Sequence, residues 1–598
     1  MFGCHFLFVL FSLINIPCGG KVSAQYAPVK SAMRIRLSDG IFIQSSRVVD
    51  YLYGRSVMQV TIPNEQQCFI EGCVQIYALR ITAQRPPTIV VVAPSPPNLI
   101  TLTIADFDLY ITASISGQLQ LVPPIPISVP AAGSLAVVST QMEVGAVLDV
   151  QKTNDQKGYL RLVSCYIRKG ATVAKVENMG LLTNIVNLKY QAQMNEKAEN
   201  VLQRTVCGNI QDIIEGEFNT RLAKVPSVVS VRDILRLFQK NETRGRRRIR
   251  AAAITYGGRK HDLVQHPYEN RRGRHAPNTV RAHSVPNVHA AAVTIPAKVP
   301  VSSSHLATLP LGTTFNVEKL SSLMISLDVL DTSATYDKFF IGVNGDVFLR
   351  DATFIKNPYT RPSSLKFVSP SNGKMLELLF SEYTINTLLL KAHNITALVF
   401  RIGSHTPVFG KLLRTSCSLD EVCLSDSVPE PAEKYPNRQL EMIVRTTKPP
   451  RVRFTQETVT LYFEGRALFY LEGTTTKIGV IPFEVTVVAK IRTQNGRLYG
   501  SFSIPSFEYK NDVDFFDLTV DTLGGLRDAT KGALINLINE KLKNGIPLDV
   551  NNDSPIKNTL IAIMNGAFLI QANFDLENDF YPSLSNREDS NYHWNDRT

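Results

Sequence analysis

Six cysteines remain after an N-terminal leader is set aside: Cys68, Cys73, Cys165, Cys207, Cys417 and Cys423. An even count of this kind points to disulfides in an oxidising compartment. The spacings C-x4-C (Cys68, Cys73) and C-x5-C (Cys417, Cys423) could each staple a hairpin or loop, and the third pair would tie Cys165 to Cys207 across a helical segment. Zinc is the rival reading, but the C-x2-C doublets and partner histidines of structural zinc sites are missing. Histidine, the usual general base, is also poorly placed. Six of the ten (His261, His266, His275, His283, His289 and His305) fall in or at the edge of a basic stretch, and only His393 and His405 lie in sequence that reads as folded. Neither has an acid or nucleophile beside it. No G-x-S-x-G, H-E-x-x-H, G-x-x-x-x-G-K-[ST] or G-x-G-x-x-G occurs in a usable context, so acyl transfer, zinc hydrolysis, phosphate binding and dinucleotide binding lose their main support. The expectation is a protein without enzymatic activity, cofactor or metal.

Modification signals fit the secretory route. Phe6–Ile16 is an apolar run followed by Val22-Ser23-Ala24, which reads as a signal peptide over residues 1–24. No later stretch reaches the roughly 18 apolar residues of a membrane span, so a soluble, secreted, extracellular product is expected. Sequons stand at Asn241, Asn394 and Asn552.

A formal charge of +12 suggests nucleic acid until its location is examined. Between residues 240 and 300 there are thirteen Lys or Arg against three acids, and the rest of the chain is close to neutral. The charge therefore marks one segment and not a nucleic-acid-binding face. Within it, Arg244, Arg246, Arg247 and Arg248 could be a processing site, an anionic-surface contact or a solvated linker.

The elements that would position these groups fall into two halves. At 598 residues, about two to four domains are expected. The division read here is an N-terminal domain over 25–240, a basic flexible linker over 241–305, a C-terminal domain over 306–578 and a polar tail over 579–598. The first half opens with a short helix over about Ser45–Met58, capped at Ser45. Alternating strands follow over Thr88–Ala93, Leu99–Ala105, Asp108–Ile115, Gln118–Val122, Leu135–Met142 and Ala146–Val150. A long amphipathic helix over Met179–Leu222 comes next, bent near Cys207-Gly208. The second half repeats the order, with a short helix over Ser381–Ala392 capped by Ser381, a hairpin at Asn495-Gly496 and a long helix over Leu523–Leu542. A sheet covered by such a helix either closes on a dry core or leaves an apolar groove. Helical period places Val48, Leu52, Ile185, Leu188 and Met194 on the face that would be core or groove lining in the first domain, and Tyr383, Leu388, Leu534, Ile538 and Leu542 in the second.

Several segments resemble one family. They are RIRLSDGIFIQSSRVVDYL, LVSCYIRKG with Cys165 and RTVCGNIQDIIEGEFNTRL with Cys207 in the first half. In the second they are LELLFSEYTINTLLLKAH, KYPNRQLEMIVRTTKPPRVRFTQETVTLYF and NEKLKNGIPLDV followed by GAFLIQANFDL. Together they are similar to the bactericidal/permeability-increasing protein, lipopolysaccharide-binding protein, phospholipid transfer protein and cholesteryl ester transfer protein family. The resemblance implies an α+β boomerang of two tubular lipid-binding domains, each a highly twisted antiparallel barrel-like sheet with one short and one long helix, joined by a central sheet. It also implies a Cys165–Cys207 disulfide and lipid held by its acyl chains. One departure shifts the implied ligand: TIPNEQQCFIEGC, in the region where antibacterial members carry lysines, is neutral to acidic here. Sequestration or transfer of phospholipid is then the leading expectation. The alternative is innate defence through lipopolysaccharide or an anionic membrane bound on the basic linker, and a secreted lipid hydrolase stands third.

Overall fold

The computed structural model describes residues 30–237 and 317–576, apart from short gaps at 71, 123–124, 156, 181, 351–356, 369–372, 407–408, 419–420 and 549–555. All of these belong to one compact unit, Met1–Phe238 with Leu309–Thr598, while Gln239–Thr308 is a separate unit outside the described residues. The leader, the tail, Asn241, Arg244, Arg246, Arg247, Arg248 and Asn552 also lie outside them.

The first half begins with β1 (Met33–Ser38), which runs directly into the short helix α1 (Asp39–Ser56). Asp39 in the first turn and Arg55 in the last complement the helix dipole. The helix thus starts one and a half turns before the expected Ser45. That residue is internal, and its hydroxyl donates to the Ile41 carbonyl, the usual way a mid-helix serine satisfies itself. An antiparallel sheet follows in the order β2 (Glu65–Phe69), β3 (Gly72–Arg85), β5 (Leu99–Val122), β6 (Ile125–Lys152), β7 (Gly158–Glu177), with β4 (Ile89–Ser95) paired to β5. The strands are longer than their alternation suggests. Asp106 (φ 56°) and Gln141 (φ 52°) sit where the β5 and β6 registers slip, so a bulge shifts the apolar alternation by one and one strand reads as two.

The long helix α2 (Leu182–Ile213) lies against β7 and continues as a π-helical stretch, Ile214–Asn219, and a last turn, Thr220–Leu222. The helix is unbroken through Cys207-Gly208, and the departure from α-helical hydrogen bonding falls at this π segment.

The remaining strands are β8 (Val228–Ser230), β9 (Leu323–Ser326), β10 (Val329–Ala334), β11 (Lys338–Val343), β12 (Val347–Leu349) and β13 (Leu376–Ser381). The second short helix, α3 (Glu382–Asn394), follows β13 and is capped by Ser381, whose hydroxyl accepts from the Thr384 N–H at 3.3 Å. A second curled sheet takes the order β14 (Val399–Ile402), β15 (Leu440–Thr446), β17 (Thr458–Leu471), β18 (Lys477–Gln494), β19 (Arg497–Tyr509), β21 (Ile546–Pro547). In it β16 (Arg451–Thr455) pairs with β17 and β20 (Asp514–Phe515) with β18. The β18–β19 turn is built on Asn495 (φ 50°) and Gly496 (φ 66°), the positive values a type I′ hairpin needs. The long helix α4 (Gly524–Asn544) packs on β19, and Gly545 (φ 74°) ends it. Among the described residues no helix is long and apolar enough to cross a membrane.

The two halves share a six-stranded antiparallel sheet in the order β10-β11-β1-β13-β23-β22, where β22 is Ile556–Met564 and β23 is Ala567–Phe574. Its sequence of partners is palindromic. β1 and β13 pair at the centre, each leads into a short helix, and each is flanked by the hairpin that follows a long helix. The hydrogen bonds repeat the symmetry: Ser38 N–H donates to Met375 O and Ser381 N–H to Ala32 O, both at 3.0 Å. The chain therefore runs twice through strand, short helix, curled sheet, long helix and hairpin. At the centre of this sheet the buried Arg36 meets the buried Glu377, directly opposite in register, with Gln571 on the carboxylate and Phe367 under the guanidinium.

Candidate functional site

Helices close both curled sheets through asparagine. A sheet edge exposes unpaired N–H and C=O groups that need partners when buried. Asn187 of α2 accepts from the Val176 N–H and donates to the Val176 carbonyl, both at 2.9 Å, on the outer edge of β7. Asn219, at the end of the π segment, does the same to Leu160, with both bonds at 2.8 Å. In the second half Asn386 of α3 clasps Val452 on β16 and Asn539 of α4 clasps Phe502 on β19. The Cys165–Cys207 disulfide adds a covalent tie between β7 and α2, and Cys68–Cys73 and Cys417–Cys423 are also bonded. These pairings bring the Sγ atoms of Cys417 and Cys423 together with Asp426 in space, but as a disulfide and not as thiolate ligands.

The asparagine clips fix which face of the long helix meets the sheet. Ile185 and Leu188 are 47% and 86% exposed, so the two residues chosen by period as lining point to solvent. The inward positions near them are Leu182, Val186, Tyr190 and Met194, with Asn187 and Asn195 turned toward the β7 backbone. Met194 is 7% exposed and lines a void of about 60 Å³ with Phe69, Met179, Val186 and Val201. Phe69 packs against Tyr190, with ring centroids 4.2 Å apart and the planes inclined by 40°.

A larger cavity of about 380 Å³ lies further along the same tube. α1 contributes Ile41, Phe42, Ser45 and Val49, the sheet contributes Leu102, Ile104, Leu148 and Leu160, and the central sheet contributes Ile35, Leu37, Phe339 and Ile341. The long helix supplies Ile210, Ile213, Ile214, Phe218 and Leu222. Positions 210, 214, 218 and 222 form an i, i+4 ridge along one wall, and Asn219 at the end of the π segment turns to Leu160. The lining is hydrocarbon apart from Ser45, Ser227, Lys157 and backbone atoms. Its size falls within the roughly 300–1,000 Å³ of ligand sites. Such a surface offers no general acid, nucleophile or oxyanion donor set; it can exclude water from alkyl chains.

The other sequence-selected residues are placed as follows. Val48 is fully buried and Leu52 is partly buried against the first core; neither is among the residues that line the cavity. Tyr383 is buried, and its hydroxyl donates to Asp346 at 2.9 Å. Burial raises its pKa first, with the Asp346 carboxylate adding to the effect. Leu388 packs on the small core beside β9 and β12. Leu534 packs on the core of the second sheet, Leu542 is buried and Ile538 is half-buried. That core is rich in aromatic pairs, among them Phe463–Phe483, Phe483–Phe507 and Phe469–Phe515. His393, at the end of α3, hydrogen-bonds Thr446 through Nδ1, and burial lowers its pKa, as expected of a satisfied core histidine. Asn394 is exposed at the helix terminus.

Sequence reading missed the cavity wall made by the central sheet. β1 supplies Ile35 and Leu37, and their β11 partners Ile341 and Phe339 stand opposite them in register, from more than 300 residues away. Alternation within RIRLS is a visible signal of one apolar face, but not of its partner.

Residues 332–576 match the LBP / BPI / CETP family, C-terminal domain. In structure the chain is similar to lipopolysaccharide binding protein, at 12% identity over 92% of this chain and 99% of that one, with a TM-score of 0.41. Two further similarities are P47 of Clostridium botulinum E1 (10% identity, 92% and 100% coverage, TM-score 0.24) and Epiphyas postvittana Takeout 1 (9% identity, 31% and 94% coverage, TM-score 0.19). No curated protein matches the chain in sequence. The family match therefore covers residues 332–576, as the C-terminal domain of the LBP / BPI / CETP family.

Proposed function

We propose that this is a secreted lipid-binding protein that sequesters phospholipids or transfers them between particles, without catalysis. The observation that carries the reading is the roughly 380 Å³ hydrocarbon-lined cavity between α1, the π segment of the long helix and the central sheet. Burial of alkyl surface contributes about 0.8 kcal/mol per CH2, so acyl chains alone give a strong site. The void beside Met194 extends the same tube toward the Cys68–Cys73 hairpin.

The family name includes a lipopolysaccharide-binding member, but the hairpin strand β2 presents Glu65 and no lysine, and Glu65 is engaged by Lys197 and Arg204. Phospholipid is therefore favoured as the ligand. Transfer of a fluorescent phospholipid from donor to acceptor vesicles tests the function. A rate that rises in proportion to protein concentration supports it, and a rate equal to the protein-free control contradicts transfer and leaves sequestration.

A further inference from the structure

Lys157 is the one charged residue among those lining the central cavity. It closes the turn between β6 and β7, where Thr153 N–H donates to its carbonyl at 2.9 Å and its own N–H donates to Thr153 Oγ1 at 3.1 Å. The turn is held close to the central sheet: a Cβ added at Gly158 would lie 3.7 Å from Val329, which also lines the cavity. The ammonium donates to the Ala223 carbonyl at 3.3 Å, at the end of the long helix. One such contact uses one of three N–H donors, and among the described residues Lys157 forms no ion pair. Its neighbour along the wall, Val225, is 55% exposed, whereas Ile104 and Phe339 on the inner walls are sealed from water. The cavity is thus a hydrocarbon chamber with a single cation at its wet end.

We propose that Lys157 selects amphiphiles with an anionic head group, a carboxylate or phosphodiester oxygen meeting Nζ while the alkyl chains run inward. The proposal rests on the lipid-binding reading above and adds the head-group class. An ion pair at the rim of an apolar chamber is screened less than one on an open surface. A choline head group offers its phosphate only with a cation beside it, which the ammonium repels. A free fatty acid and an anionic phospholipid share the required chemistry.

The test equilibrates the full-length protein with dioleoylphosphatidylcholine vesicles containing dioleoylphosphatidylglycerol in one arm and oleate in another. Bound lipid is then quantified after re-isolation of the protein. Enrichment of either anionic species over phosphatidylcholine by about tenfold is expected, and the arm that shows it identifies the source. Lys157→Met should bring the enrichment close to unity without lowering total lipid, and Lys157→Arg should retain it. Uptake in the vesicle ratio by the wild type, or an unchanged preference in Lys157→Met, overturns the proposal and leaves lipid binding intact. Absence of bound lipid in every arm contradicts both.

Discussion

Asn219 holds Leu160 by both ends of its side-chain amide, so that the last turn of the long helix extends the hydrogen-bonding of the β7 edge. The relation recurs at Asn187–Val176, Asn386–Val452 and Asn539–Phe502, at least once along each long helix. A curled sheet that does not close on itself must hide its last strand. Here a helix hides it with amide groups, and because the contact is polar and local, the apolar faces behind it need not collapse together.

Removing the clip should open that seam. Asn219→Ala leaves an N–H and a C=O of Leu160 without their partner, which costs about 1–3 kcal/mol. Urea midpoints should fall accordingly, and amide exchange at Leu160 should accelerate more than exchange at the centre of β6. Asn219→Asp should behave similarly, since it cannot donate to the Leu160 carbonyl at neutral pH.

The Cys165–Cys207 disulfide acts on the same seam by closing a loop of sequence separation 42. Replacing both cysteines by serine should lower stability by roughly 3–4 kcal/mol. The five-residue separation of Cys68 and Cys73 constrains far less chain, and its removal should cost less by denaturant titration.

The facing of the long helix gives a direct contrast. Ile185→Ser and Leu188→Ser remove exposed side chains and should shift stability by no more than about 0.5 kcal/mol. Met194→Ala removes a buried one and should cost about 2–5 kcal/mol, as read from thermal or urea unfolding. Equal effects at Leu188 and Met194 would mean that the helix is rotated.

Acid should loosen the contact between the hairpin and the long helix. The hydrogen bond from Lys197, with that from Arg204, holds the Glu65 carboxyl below its ordinary value. A depressed folded-state value stabilises the protein above the unfolded-state pKa of about 4.3, and the contribution is lost as pH falls through the folded-state value. At neutral pH, Glu65→Gln should be about 1 kcal/mol less stable than wild type. The difference should shrink as pH falls through the lowered folded-state value, as measured by paired urea titrations.

Much of the fold is legible in the residues. The Ser381 cap, the Asn495-Gly496 turn, both long helices and the cysteine pairs carry local signals that the structure keeps. The site is less legible because two of its determinants are not local. Arg34 and Arg36 alternate with apolar residues in β1, and Arg36 is buried on Glu377, 341 residues away. On the long helix, Asn187 and Asn195 serve the β7 backbone while Ile185 and Leu188 face water, so hydrophobic period alone selects the wrong side of that turn. Lys157, in a turn of small and polar residues, has no sequence signal that distinguishes it from any surface lysine.

The most direct test of the cavity is native mass spectrometry of the intact protein, followed by extraction of what it carries. The account predicts a mass excess that releases amphiphilic lipid on activation. It also predicts a reduced load in Ser45→Phe, which places a ring into the cavity from α1 without removing an apolar contact. Wild-type protein at its bare polypeptide, disulfide and glycan mass, with no extractable lipid, would contradict it.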